Sequence, residues 1–307
     1  MTTTHPPASS LPPTGPATAP TISEAMHPAI ARGRVAVITG ASSGIGRAAA
    51  KRFAQLGMRV CLADIDADAL NEAAADVAAV ALHGVPDVLA VHTDVSRLEH
   101  VQKLRDAVYR RFGEVGVLMN NAGTGGGGGP WDDLDGWHRV LGVNLWGVIH
   151  GVQVFTEAMI AQGTPAAIVN TGSKQGLTNP PGNTAYNVSK AAIRTLTEGL
   201  AHKLRNTPGC QVTAHLLVPG YTFTGLTGRH VETKPDAAWW PAQVVDELVA
   251  RMASNDFYVI CPDNDVTREM DRRRLHWNTD DVLQNRPALS RWHPDHAAAF
   301  ADWMARD

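Results

Sequence analysis

The segment RVAVITGASSGIGRAAA (34–50) decides how this chain folds. Its opening, RVAVITG, is a short apolar run closed by glycine, the pattern of a strand buried on both faces. From Gly44 the sequence turns to helix-forming residues. Between the two lie Gly40, Gly44 and Gly46, spaced G-x-x-x-G-x-G. That spacing differs from G-x-G-x-x-G, but the physics is shared. Glycine permits a tight turn and a close approach of backbone to a phosphate, and a helix N-terminus offers free N–H groups and a positive dipole end. A strand running straight into such a turn and then a helix has the form of a phosphate-binding loop, here spanning Gly40, Ser42, Ser43, Gly44, Ile45 and Gly46.

The same alternation continues downstream. RVCLADI, VLAVHTD, VGVLMNNAG, AAIVNTGS, QVTAHLLVPG and FYVICP are further short apolar runs, most of them ending at Gly, Asp, Asn or Pro. Helical patterns separate them at 44–57, 66–80, 96–112, 133–161, 185–206 and 241–254. Seven strands alternating with helices predict one doubly wound domain whose parallel sheet is covered on both faces.

The second strand ends at Asp64, 18 residues after Gly46. A carboxylate there can accept hydrogen bonds from the hydroxyls of an adenosine ribose and would repel a 2′-phosphate. No Lys or Arg precedes Gly46 within the loop. Asp64 could instead cap the next helix, but Asp66 suits that place better. The expected cofactor is NAD, with NADP less favoured.

Composition narrows the function classes. A formal net charge of −3 over 307 residues argues against a dedicated nucleic-acid binder. No apolar stretch is long enough to span a bilayer, and the N-terminus lacks the regions of a signal peptide. Cys61, Cys210 and Cys261 are far apart and have no metal-type spacing, so free thiols in the cytoplasm are expected. Residues 1–27 are rich in Pro, Thr, Ser and Ala and read as a disordered tail. Residues 28–261 form the expected domain, and 262–307 a polar extension that packs on it or on a neighbouring subunit. Within the extension, HPDH (293–296) has no third ligand at a compatible spacing, so a helix start with Pro294 in its first turn is expected rather than a metal site.

TAYNVSK (184–190) heads a further helical run. Tyr186 and Lys190 stand one turn apart and share a face. Alone, that pair is as consistent with a snorkelling surface lysine as with chemistry.

Taken in order, TGASSGIG (39–46), Asp94-Val95, NNAG (120–123), Asn144, Ser173, Tyr186 with Lys190, and PGYTFT (219–224) resemble the short-chain dehydrogenase/reductase family over residues 33–261. Ser173 precedes Tyr186 by 13 residues, a spacing typical of the family's compact branch. The resemblance implies a Rossmann-like fold and hydride transfer between a nicotinamide and a secondary alcohol or ketone. It implies that Asp94 and Val95 contact the adenine. Asn121, Ala122 and Gly123 line the cofactor cleft. Pro219, Gly220 and Thr222 hold the carboxamide, with Thr224 adding a side-chain bond.

It further implies a catalytic tetrad of Asn144, Ser173, Tyr186 and Lys190. Tyr186 is the expected proton carrier, although a free tyrosine has a pKa of about 10. The ammonium of Lys190 and an oxidised nicotinamide both favour its phenolate. Lys190 also holds the nicotinamide ribose, and Ser173 donates to the substrate oxygen. Asn144 holds a water linked to Lys190, or simply satisfies nearby backbone. An NADP-dependent carbonyl reductase is the alternative reading, and a non-catalytic dinucleotide-binding regulatory protein on the same fold is the second.

Several features lie outside the motifs. Gly125 to Gly129 are expected to form a flexible rim of the site. Lys174 and Gln175 face the substrate or solvent. The segment 221–241 is the expected substrate lid, carrying Tyr221, Phe223, Leu226, Trp239 and Trp240, with Trp131 closing the opposite side. The lid predicts an apolar pocket unless the two tryptophans pack on the core or on another subunit, while Arg229, His230 and Lys234 leave room for a carboxylate or are simply solvated. The helices at 133–161 and 185–206 carry surplus apolar positions, and the resemblance implies a homo-oligomer, dimer or tetramer.

Overall fold

A computed structural model describes residues 26–227 and 233–305. Arg229 and His230 therefore lie outside the described residues, as does all of the N-terminal tail before Met26. The chain alternates as read: β1 (Val35–Thr39), α1 (Gly44–Gln55), β2 (Arg59–Asp64), α2 (Ala67–Ala78), β3 (Val88–His92), α3 (Leu98–Phe112) and β4 (Val117–Asn120). Then follow α4 (Leu134–Leu141), α5 (Gly147–Ala161), β5 (Ala166–Thr171), α6 (Gln175–Thr178), α7 (Thr184–Arg205), β6 (Val212–Val218), α8 (Pro241–Ala253) and β7 (Tyr258–Ile260). The strands form one parallel sheet in the order β3-β2-β1-β4-β5-β6-β7.

Strand pleating splits the core in two. On β1, Ala36 and Ile38 join Phe53, Leu70 and Leu248 on the face covered by α1, α2 and α8. Val35 and Val37 join Leu104, Phe155 and Ile193 beneath α3, α5 and α7. Phe53 and Phe155 are completely buried, and truncating either to Ala would cost about 3–5 kcal/mol. Asp66 caps α2 by accepting from Ala69 N at 3.0 Å, the role expected of it.

The predicted helix at 133–161 is divided. A π-helical turn, Gly142–Trp146, separates α4 from α5. At its centre the buried Asn144 is bonded to the loop after β4 and to α7, which fixes the wide turn in place. The packed chain also begins earlier than the expected boundary. His27 is buried, lies 5.5 Å from the His215 ring, and shares Thr213 Oγ1 with it.

The extension folds into α9 (Arg268–Leu283), two 3₁₀ turns and α10 (Ala297–Ala305). Trp277 is its centre, with the Phe300 ring 5.3 Å away and its own Nε1 donating to Ser290 Oγ at 2.8 Å. Pro294 starts a 3₁₀ turn that leads into α10. On the domain side, Asn278 Nδ2 donates to Leu177 O at 3.3 Å and Asp271 pairs with Lys174. No helix among the described residues is long and apolar enough to cross a membrane. Cys61 and Cys261 are buried free thiols, and burial pushes the Cys261 pKa up to about 12.

Candidate active site

The C-terminal ends of the strands open into a cleft of about 670 Å3, within the range of roughly 300–1,000 Å3 usual for small-molecule sites. It lies where the strand order reverses between β1 and β4, the position at which parallel sheets take ligands. Among the described residues, no group of three or more His, Cys, Asp or Glu could hold a metal.

The glycine loop is built by close approach. Gly40 has φ +65°, and a Cβ there would stand 2.7 Å from Ala122 Cα. A Cβ on Gly46 would lie 2.0 Å from the Gly40 carbonyl oxygen, so Gly46 holds α1 against the turn rather than facing the cleft. Ser42, Ser43, Gly44 and Ile45 face it, and Gly44 lies under Thr224. These features make a cradle that admits a phosphate at the N-terminus of α1.

Asp64 also faces the cleft, and its carboxylate does a second job. Oδ2 accepts from Ser42 N at 2.9 Å and Oδ1 from Asp66 N at 3.2 Å, tying the end of β2 to the loop. Asp94 and Val95 sit at the same end, with Asp94 Oδ1 accepting from Ser96 Oγ at 2.7 Å. Asn121 donates from its backbone to Thr39 Oγ1 at 2.9 Å and from Nδ2 to Thr39 O at 3.1 Å, which aligns Ala122 and Gly123 along the cleft. Pro219, Gly220, Thr222 and Thr224 close the far wall, and Thr222 Oγ1 donates to Gly220 O at 3.1 Å.

Three of the four tetrad residues meet in the cleft. Ser173 and Tyr186 both face the cleft, with the Ser173 hydroxyl near enough to the phenol to favour its ionisation. Lys190 Nζ lies 5.7 Å from the Tyr186 ring centroid and donates to Thr171 O at 2.8 Å. Burial lowers the Lys190 pKa to about 8. Burial also raises that of Tyr186, with the neighbouring Ser173 hydroxyl opposing the rise. The expected lowering by Lys190 is therefore not produced by the protein's own groups: desolvation of the phenolate wins.

Asn144 does not face the cleft. It is completely buried, with Oδ1 accepting from Thr124 N at 2.7 Å and Nδ2 donating to Thr124 O at 2.9 Å and Ser189 Oγ at 3.2 Å. Its side chain braces the loop that follows Gly123.

The rim departs from expectation. Gly127 is wedged between α4 and α7, since a Cβ there would meet Ala185 Cβ at 2.9 Å and Val140 at 3.0 Å. Gly128 O accepts from Thr184 N, and Gly129 O from Trp137 Nε1. The run is pinned at three successive glycines, not loose. Of the lid aromatics only Tyr221 faces the cleft, together with Leu226. Trp239 packs on the core, Trp240 meets Phe223 edge to face outside the cleft, and Trp131 is 91 % exposed. Lys234 is occupied by Pro235 O and Ala238 O. Arg139 lines the cleft beside Gly126, with no side-chain bond or ion pair among the described residues. Sequence reading missed it because nothing in the α4 pattern distinguishes it from a solvated arginine.

Comparison with known proteins agrees with this fold. Residues 34–235 match the family model for short chain dehydrogenases. A 1-deoxy-11-beta-hydroxypentalenate dehydrogenase of Streptomyces avermitilis is 37% identical over 195 residues, covering 62% of this chain and 70% of the relative. A short chain dehydrogenase/reductase from Burkholderia phymatum, solved in complex with NAD, superimposes with a TM-score of 0.73 at 37% identity, covering 83% of this chain and 96% of that one. An alcohol dehydrogenase from Thermococcus sibiricus, solved with 5-hydroxy-NADP, gives a TM-score of 0.64 at 28% identity, covering 71% and 90%.

Proposed function

The chain belongs to the short chain dehydrogenase family, and from that membership we propose an NAD-dependent enzyme that interconverts a secondary alcohol and its ketone. The observation that carries the proposal is the meeting of Ser173, Tyr186 and Lys190 in the cleft that the glycine loop enters.

A bound nicotinamide supplies the hydride acceptor for oxidation and the donor for reduction. Tyr186 takes the hydroxyl proton of the alcohol, or returns it to the ketone oxygen. Ser173 donates to that oxygen and orients it. Lys190, fixed by Thr171 O, keeps an ammonium 5.7 Å from the Tyr186 ring centroid, and a charge there favours the phenolate. Asn144 contributes at one remove, by fixing the loop at Thr124.

Asp64 supports NAD over NADP, because its carboxylate places negative charge where a 2′-phosphate would lie. The nearby Arg47 is tied to Asp76 at 2.5 Å. Val143, Tyr221 and Leu226 support a substrate with a hydrocarbon body, and the Streptomyces relative is named for a hydroxylated compound. We further propose a homo-oligomer, since Trp146 and Val188 leave apolar surface on the turn before α5 and on α7. The test is absorbance at about 340 nm with NAD and a panel of secondary alcohols: the chain should reduce NAD, and Tyr186→Phe should not. A folded Phe variant with ordinary turnover overturns the assignment.

A further inference from the structure

The C-terminal extension reaches the active site through charge. Lys174, the residue after Ser173, pairs with Asp263 at 3.3 Å and with Asp271 of α9 at 2.7 Å. The side chains are 17 %, 5 % and 9 % exposed in that order. One ammonium thus holds two nearly buried carboxylates, both supplied by the extension.

The group touches both segments that flank the reacting end of the cleft. Asp263 Oδ2 accepts from Tyr221 N at 3.1 Å, directly after Pro219 and Gly220. A Cβ on Gly220 would stand 2.7 Å from Asp263 Oδ2 and 3.1 Å from Lys174 Nζ, so the pair packs against that backbone. Asp263 Oδ1 is meanwhile held by Val266 N at 2.8 Å. On the other side Lys174 continues the turn in which Gln175 N donates to Ser173 Oγ at 3.2 Å. Asn278 of α9 adds a bond to Leu177 O in the same turn. Burial raises the Asp271 carboxyl, and Lys174 and Arg274 oppose that rise, so the carboxylate depends on its cation.

We propose that Lys174 is a positioning residue, pinned by Asp263 and Asp271, through which the C-terminal extension fixes the Ser173 turn against Pro219–Tyr221 and so sets where nicotinamide and substrate meet. The proposal rests on the dehydrogenase reading above. It assigns the extension a part in the site although none of the family's motifs fall within it. Lys174 also lines the cleft, and because a displacement of about 1 Å at reacting atoms can cost 100-fold in rate, its effect is carried by the backbone it holds.

The experiment uses the full chain and two ligands, NADH and ADP-ribose, the second lacking the nicotinamide. Affinities are measured by calorimetry for the parent and for Lys174→Met, Lys174→Arg and Asp271→Asn. Lys174→Met and Asp271→Asn should lower the ratio of NADH to ADP-ribose affinity about tenfold, while ADP-ribose binding stays within about twofold. Lys174→Arg, which keeps the charge, should retain the parent ratio. An unchanged ratio in Lys174→Met overturns the proposal. So does parallel weakening of both ligands, which reports lost folding and nothing specific to the nicotinamide. A parent chain that binds neither ligand would overturn the dehydrogenase reading itself, and this inference with it.

Discussion

Lys190 stands 5.7 Å from the centroid of the Tyr186 ring, one helical turn away, and spends a hydrogen bond on Thr171 O. Burial pulls the two groups in opposite directions, lowering Lys190 to about 8 and raising Tyr186 above its usual value. Both shifts favour the uncharged forms. In the proposed reaction Tyr186 must be deprotonated to oxidise an alcohol and protonated to reduce a ketone. Oxidation should therefore rise with pH and reduction should fall. An NAD complex should titrate Tyr186 lower than the protein alone, because added positive charge favours the phenolate. Absorbance titration of the phenol, with and without NAD, checks the direction; equal midpoints would refute it. Tyr186→Phe should lower turnover by at least about 100-fold.

Asp64 serves cofactor choice and loop shape together. Asp64→Ser should narrow the preference for NAD by about tenfold, measured as kcat/KM for each cofactor. It should also weaken NAD binding outright, since Ser42 N loses its carboxylate acceptor. A parent enzyme that prefers NADP would contradict the reading of Asp64.

Two glycines should respond oppositely to alanine. At Gly46 the new Cβ would collide with Gly40 O at 2.0 Å, so Gly46→Ala should destabilise by about 1–3 kcal/mol and impair cofactor binding. Gly199 lies exposed within α7 with nothing within 4 Å of a Cβ. Gly199→Ala should stabilise by about 0.5–1 kcal/mol. Thermal melts of the two variants against the parent settle both signs.

The buried His27 and His215 predict acid sensitivity. Burial, with His215 nearby, lowers His27 from 6.5 to about 4, and burial lowers His215 as well. The unfolded chain then binds more protons as pH falls through 6.5 toward 4. Stability should be intact above about pH 6.5 and decline below it, by about 3 kcal/mol for His27 once pH reaches its folded value. Melting temperature followed from pH 7.5 to 4.5 in the parent and in His27→Asn tests this, with a flatter profile expected in the variant. Identical profiles would remove His27 from the account.

Much of the fold was legible because its signals are local. Each buried strand is a short apolar run with a polar or glycine stop, and Asp66 announces the start of α2. The glycine loop, Ser173, Tyr186 and Lys190 carry their own spacing. What escaped depends on contacts between distant segments. The π turn arises where Asn144 meets Thr124 and Ser189, and no periodicity reports that. Trp239 and Trp240 read equally as lid or core until their neighbours are known. Gly127 lies between Ala185 and Val140, so a run that composition suggests is slack turns out to be wedged. Arg139 and the grip of Asp263 and Asp271 on Lys174 exist only once the chain is folded.

The place of β1 also bears on how the chain is made. Val37 is hydrogen-bond registered with Cys61 on one side and with Leu118 on the other. The first partner leaves the ribosome soon after Val37, the second only after α2, β3 and α3 have been synthesised. Until then β1 presents a bare apolar edge at what becomes the middle of the sheet. Pairings across such a sequence separation are slow to form and prone to aggregate while they wait. A nascent chain stalled before Leu118 should consequently be held by chaperones and cut readily by proteases, and the finished chain should resist both.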